Sequence, residues 1–279
     1  MSFREAMARG EFPVSLEITP PRESKPAVLL RRARLLEACT TTVNVIQRPE
    51  RQSSLEAALD LQREGLEPIW HLATGGRPIE EVTADIARAH QAGLGHVLCL
   101  RGDHAADTPG TRVTDAIAVV REQAPGMAIG AALDQYRADE RSDRILAGKL
   151  RAGARSIWTQ PVFELAPLLR SAGFVKAVEP EANVVAMAMP LLTPESLDAI
   201  SERLGIPAPA ELRRRIEAGE EEAWGAFEET LATLARVELV DAVAIMTYRA
   251  DPPPGTAERI VAALQRAGIG EAAGAATDR

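Results

Sequence analysis

Eight times along this chain a short, almost unbroken apolar run is followed by a longer run whose apolar residues recur every three or four positions. The short runs are "VSLEIT" (14–19), "TTVNVI" (41–46), "EPIWHLAT" (67–74), "HVLCLRG" (96–102), "AIGAAL" (128–133), "SIWTQPV" (156–162), "NVVAMAMP" (183–190) and "DAVAIMTY" (241–248). Unbroken apolar character is what a strand needs when both of its faces are covered. The longer runs carry helix punctuation. "SSLEAALDLQREG" (53–65) opens on serine and closes on glycine, and "PIEEVTADIARAHQAG" (78–93) opens on proline and closes on glycine. A strand, a helix and another strand in succession give parallel neighbours, because a tight turn cannot join parallel strands. Eight such units predict an α/β fold, a single (β/α)8 barrel over residues 1–268. An open doubly wound sheet would have fewer strands and a glycine-rich first turn, which this chain lacks. The stretch 208–238, "APAELRRRIEAGEEEAWGAFEETLATLARVE", adds helices between the seventh and eighth strands. The last residues, 269–279, are predicted to be a disordered tail.

A barrel of this size needs a large core, and the 279 residues are 46% hydrophobic. Only 4% are aromatic, so alanine, leucine and valine must fill it. The net charge of −8 leaves no basic face for nucleic acid. No apolar run approaches the roughly 20 residues of a membrane helix. The opening "MSFREAMARG" is charged and helical, unlike a secretory signal. Cys39 and Cys99 have no metal-ligand spacing and read as reduced thiols in a cytoplasmic protein. There is no zinc-type cluster, no serine-hydrolase elbow and no phosphate-binding P-loop, so no metal is expected.

In barrels of this kind the chemistry sits at the C-terminal ends of the strands. Those ends carry Glu17, Gln47, His71, Arg101 with Asp103, Asp134, Gln160, Met189 and Tyr248. Each has a plain alternative. Glu17 interrupts an apolar strand, which an internal ion pair would also explain. Asp103 could cap a turn, and His71 could be a satisfied core histidine. Gln160 would be costly if buried without a partner, which implies a partner or a ligand. Lys149 is one of three lysines among 32 basic residues, yet it could simply lie on the surface.

Taken in order, these segments resemble the methylenetetrahydrofolate reductase family. "LEITPP" (16–21) is similar to that family's Phe-Glu-Phe-Pro-Pro opening, and "HLAT" (71–74) to its His-Leu-Thr-Cys. "GLGHVLCLRGD" (93–103) resembles its Ala-Leu-Arg-Gly-Asp segment, the most specific element. "KLRAGARSIWTQPVFE" (149–164) resembles its Lys-x-x-Ala-Gly-Ala…Thr-Gln-x-x-Phe segment. "MPLLTPESL" (189–197), "LGIPAPAELRRRI" (204–216) and "VAIMTYR" (243–249) follow in the family's order. The joint spacing, over nearly the whole chain, carries the resemblance.

The resemblance implies a barrel enzyme that reduces 5,10-methylenetetrahydrofolate to 5-methyltetrahydrofolate with a reduced nicotinamide, NADH or NADPH, through FAD or directly. Ring opening leaves an iminium at N5, and the departing N10 needs a proton. A carboxylic acid in an apolar mouth can supply it, and Glu17 stands at the family position. Asp103 would pair with the pterin and lie near the developing cation. Gln160, with both amide groups, and Arg249 would also bind substrate. His71, Arg101 and Gly102 would line the place of the redox ring, and Lys149 would lie near the flavin's diphosphate or ribityl side. Several flavin positions depart from the family pattern: Ile46, Ser142 and Ile145 replace polar groups, and "LDQYRADERSD" after the fifth strand is short and lacks histidine. FAD is therefore expected to bind weakly or to be absent. The competing readings are a related barrel enzyme acting on another pterin or one-carbon carrier, and a non-catalytic folate-binding partner subunit. The oligomeric state stays open.

Overall fold

The eight apolar runs become eight parallel strands that close on themselves in sequence order. The structure is a computed structural model that describes residues 2–102 and 110–269. The strands are β1 (Val14–Ile18), β2 (Thr42–Val45), β3 (Glu67–Ala73), β4 (His96–Leu100), β5 (Ala128–Ala132), β6 (Ser156–Pro161), β7 (Asn183–Ala188) and β8 (Ala242–Met246). Around them run α2 (Pro26–Ala33), α3 (Ser54–Arg63), α4 (Ile79–Gln91), α5 (Val113–Gln123), α6 (Glu140–Ala152), α7 (Leu165–Val178), α8 (Pro194–Leu204) and α11 (Thr256–Arg266). The expected insertion before β8 folds as α9 (Ala210–Ala218) and α10 (Glu220–Leu234). This is a (β/α)8 barrel. The ring closes where β1 pairs with β8, with Leu16 opposite Ile245 and Glu17 opposite Met246.

Alternation along each strand sorts side chains into two layers. Val14, Leu16, Val43, Val45, Trp70, Leu72, Val97 and Cys99 pack outward against the helices in the main core. Their neighbours point inward. Ile69, Leu98, Trp158, Val185, Ala242 and Ala244 form the barrel's inner cluster. Ser15, Glu17, Asn44, His71 and His96 share the inward phase of their strands.

A short N-terminal helix, α1 (Phe3–Ala8), plugs the floor of the barrel. Phe3 and Met7 join the inner cluster, and the Phe3 ring stacks on Trp158 with centroids 5.6 Å apart. The backbone N–H of Phe3 donates to the Glu67 carboxylate at 2.9 Å, which ties the plug to the first residue of β3. At the other end of the chain, Ile269 is 1% exposed and packs in the main core. The packed body thus includes a residue that the sequence reading had assigned to the tail.

Inside the barrel, β5 must be narrow. A Cβ on Gly130 would lie 2.9 Å from both Ser156 Oγ and Trp158 Nε1. Those two atoms are themselves hydrogen-bonded at 3.0 Å, so neither moves freely. Gly130→Ala is expected to cost about 1–3 kcal/mol, the usual range for overpacking. Urea unfolding measures it, and an unchanged midpoint would contradict this packing.

Rim contacts hold the first and last units together. Arg32, on α2, donates to the Thr19 carbonyl at 2.8 Å and, with Arg31, pairs with Asp251 in the loop after β8. These hydrogen bonds push the Asp251 carboxyl down to about 2. Among the described residues no helix is long and apolar enough to cross a membrane, and no group of three or more potential ligands could hold a metal ion.

Candidate active site

Glu17, His71 and Gln160 come from β1, β3 and β6, and each lies within two residues of its strand's C-terminal end. All three therefore stand at the same mouth. Glu17 is 9% exposed, an acidic residue otherwise set among apolar strand residues. Arg101 and Gly102 follow β4 directly at the same rim. Gly102 has φ near +90°, a conformation that favours glycine. Asp103 lies outside the described residues. Arg249 stands three residues beyond β8 and is exposed, and its carbonyl accepts from the Thr247 hydroxyl at 2.8 Å.

His71 is buried, and burial pushes its imidazole down to about 3. It is neutral at any working pH and so cannot act as a proton donor there. Its Nε2 is buried and has no hydrogen-bond partner among the described residues. The His71 carbonyl, by contrast, accepts from Ser54 Oγ at 2.8 Å. Gln47, read from sequence as a mouth residue, is turned to structural use: its Oε1 accepts from the Ser54 backbone N–H at 2.9 Å, at the start of α3. Asp134 likewise serves its own loop, accepting from the Tyr136 backbone N–H and pairing with Arg137.

Gln160 sits on a bulge. Trp158 pairs with Val185 but Pro161 with Met187, so β6 has one extra residue against β7. The Thr159 hydroxyl accepts from the Met187 N–H at 3.0 Å, while Gln160 alone in β6 is partly exposed. The loop after β5 closes the other side of the bulge with Gln135 and Tyr136, which sequence reasoning did not single out. Two long polar side chains in a short loop were the only signal for them. Beside the bulge, on the β7 and β8 side of the mouth, Met187, Met189 and Met246 form an apolar wall with Leu191, backed by α8 and α9. Flexible thioethers suit the face of a flat ring.

The one residue expected beside the flavin's diphosphate or ribityl side is engaged elsewhere, and so are two arginines that could have replaced it. Lys149 Nζ donates to the Ala132 carbonyl at 2.6 Å, and burial lowers its pKa. It interacts with Cys99, whose side chain belongs to the outward-facing core, so the ammonium lies between α6 and the barrel wall. Arg77 is bound to Asp85 at 2.5 Å and to the Ala73 carbonyl, and Arg137 to Asp134 at 2.9 Å. Ile46 is buried and Ile145 is 49% exposed, and neither can pair a phosphate or ribityl oxygen. A tightly held FAD does not fit this set, because its polar atoms would leave water without partners.

Comparison with known proteins adds two findings. The sequence profile of the methylenetetrahydrofolate reductase family matches residues 2–244. The fold is similar to a solved structure from Clostridium thermocellum, described as an uncharacterized protein that binds two copies of 5-methyl-5,6,7,8-tetrahydrofolic acid. That likeness has a TM-score of 0.69 and 12% identity, and it covers 95% of this chain and 98% of the other.

Proposed function

Because this chain belongs to the methylenetetrahydrofolate reductase family, we propose that it reduces 5,10-methylenetetrahydrofolate to 5-methyltetrahydrofolate, taking hydride directly from a reduced nicotinamide. The observation that carries this reading is the common placement of Glu17, His71 and Gln160 at strand ends of one barrel mouth, with methionines on the two strands between Gln160 and Glu17. The 5-methyltetrahydrofolate described for the Clostridium thermocellum protein supports the folate as ligand.

The chemistry assigns each residue one task. Opening the five-membered ring breaks the bond between the methylene carbon and N10 and leaves an iminium at N5. Glu17 gives N10 its proton. Hydride from the nicotinamide co-substrate then forms the methyl group, and the nicotinamide leaves oxidised. Gln160 and Asp103 hold the pterin, and Arg249 lies on the rim for the rest of the substrate. His71, neutral, offers the unpartnered Nε2 to a ring edge beside Arg101 and Gly102. FAD has no step here, since Lys149 and Arg77 are committed to the protein.

The test is spectroscopic and kinetic together. Purified protein is expected to lack a flavin absorbance band, and to oxidise NADH or NADPH with methylenetetrahydrofolate when no FAD is added. Stoichiometric flavin that survives dialysis would sink the direct transfer. Tight binding of 5-methyltetrahydrofolate with no nicotinamide oxidation under any condition would favour a folate-binding subunit.

A further inference from the structure

Gln135 is fully buried, yet its side-chain amide pairs with the backbone of another segment rather than with its own. Its Oε1 accepts from the Gln160 N–H at 3.0 Å, and its Nε2 donates to the Gln160 carbonyl at 2.9 Å and the Pro161 carbonyl at 3.3 Å. One residue further, the Tyr136 hydroxyl donates to the Pro161 carbonyl at 2.7 Å and accepts from the Phe163 N–H at 2.8 Å. β5 ends at Ala132, and its backbone reaches β6 for the last time where the Leu133 N–H donates to the Trp158 carbonyl at 2.7 Å. Beyond that point the two side chains take the place of the strand. Arg170, from α7, holds the clamp from behind by donating to the Gln135 carbonyl at 2.6 Å.

A bulge is where a strand re-aims a side chain. Both backbone groups of Gln160 are held by a single buried amide, while the Thr159 hydroxyl, besides accepting from Met187, donates to the Gln160 carbonyl at 2.8 Å. Peptide rotation at this point would break several hydrogen bonds at once and leave buried polar groups unsatisfied. We infer that Gln135 is a positioning residue, which sets the direction of the Gln160 side chain and through it the affinity for the folate. The inference rests on the reading of Gln160 as a pterin contact. Gln135 touches no substrate itself.

A double-mutant cycle tests it, read as the dissociation constant of 5-methyltetrahydrofolate by calorimetric titration and as KM and kcat for the forward reaction. In the wild-type background Gln135→Leu is expected to weaken folate binding about tenfold, the loss of roughly one buried hydrogen bond. The KM for the nicotinamide and the kcat at saturating folate should stay within about twofold. In a Gln160→Ala background the same substitution should change folate affinity by no more than about twofold, because residues that act as one unit are not additive. A full tenfold loss in both backgrounds would overturn the positioning role and leave Gln160 as a contact. A silent Gln160→Ala would instead remove Gln160 from the site, and the inference with it. If Gln135→Leu does not fold, Tyr136→Phe, which removes only the outer two hydrogen bonds, is carried through the same cycle. A smaller loss confined to the Gln160-containing background supports the role, and an equal loss in both overturns it.

Discussion

Glu17→Gln is expected to lower turnover by about 10²–10⁴-fold, the usual worth of a general acid, while 5-methyltetrahydrofolate binds within a few-fold of wild type. The amide has the same shape and still hydrogen-bonds, but it carries no acidic proton for N10. Glu17 is nine-tenths buried on β1, between Asn44 of β2 and Met246 of β8 in register. Bulk water is therefore a poor substitute donor. Steady-state kinetics give the turnover, and titration of the product gives the affinity. Near-native turnover in a folded variant would take Glu17 out of the chemistry. Loss of folate binding in proportion to turnover would make it a binding residue instead.

Acid is expected to weaken the fold steeply below pH 6.5, and two inward-facing histidines are the cause. His96 is 3% exposed, both ring nitrogens lack partners among the described residues, and burial pushes it down to about 4, helped by the charge of Arg4. His71 is pushed down to about 3 by burial alone. In the unfolded chain both return to the ordinary value of 6.5. Between those limits the unfolded state binds more protons, so stability is complete above pH 6.5 and falls as pH drops. Each histidine contributes about 1.4 kcal/mol per pH unit, so together they remove about 4 kcal/mol by pH 5. That is a large part of the roughly 5–15 kcal/mol a domain has in total. Asp251 acts lower, between 3.8 and about 2, and does not enter this window. Urea unfolding at pH 7, 6 and 5 should show the slope. His96→Leu should remove about half of it, and an unchanged slope would show that the barrel interior is not the acid-sensitive part.

The barrel was legible because its evidence is local and repeated. "NVVAMAMP" is apolar on both faces, as strands covered on both sides are. The two inserted helices were also legible, from the change of period in 208–238. At the site, Glu17, His71 and Gln160 could be assigned to one mouth from strand ends alone, since topology brings those ends together. Gln47 and Asp134 met the same rule and proved to be loop-bracing groups instead, because a strand end says where a residue stands and not what its side chain reaches. Lys149 shows the same limit: its rarity singles it out, but its ammonium is tied to the Ala132 carbonyl, a contact made only in the fold. Gln135 was invisible for a further reason. Its partners are backbone groups 25 and 26 residues away, and backbone leaves no trace in sequence.

The plug at the barrel floor also affects the order of events on the ribosome. Phe3 and Met7 are made well before Trp158, on whose ring Phe3 stacks. At roughly 5–20 residues per second, about 8–30 s of translation separate the two, and the closing partner of β1 emerges later still. Throughout that interval an apolar helix face and one open edge of β1 wait without their native cover. Of the barrel's strands, β1 thus waits longest for its native neighbour, because its closing partner is the last strand made.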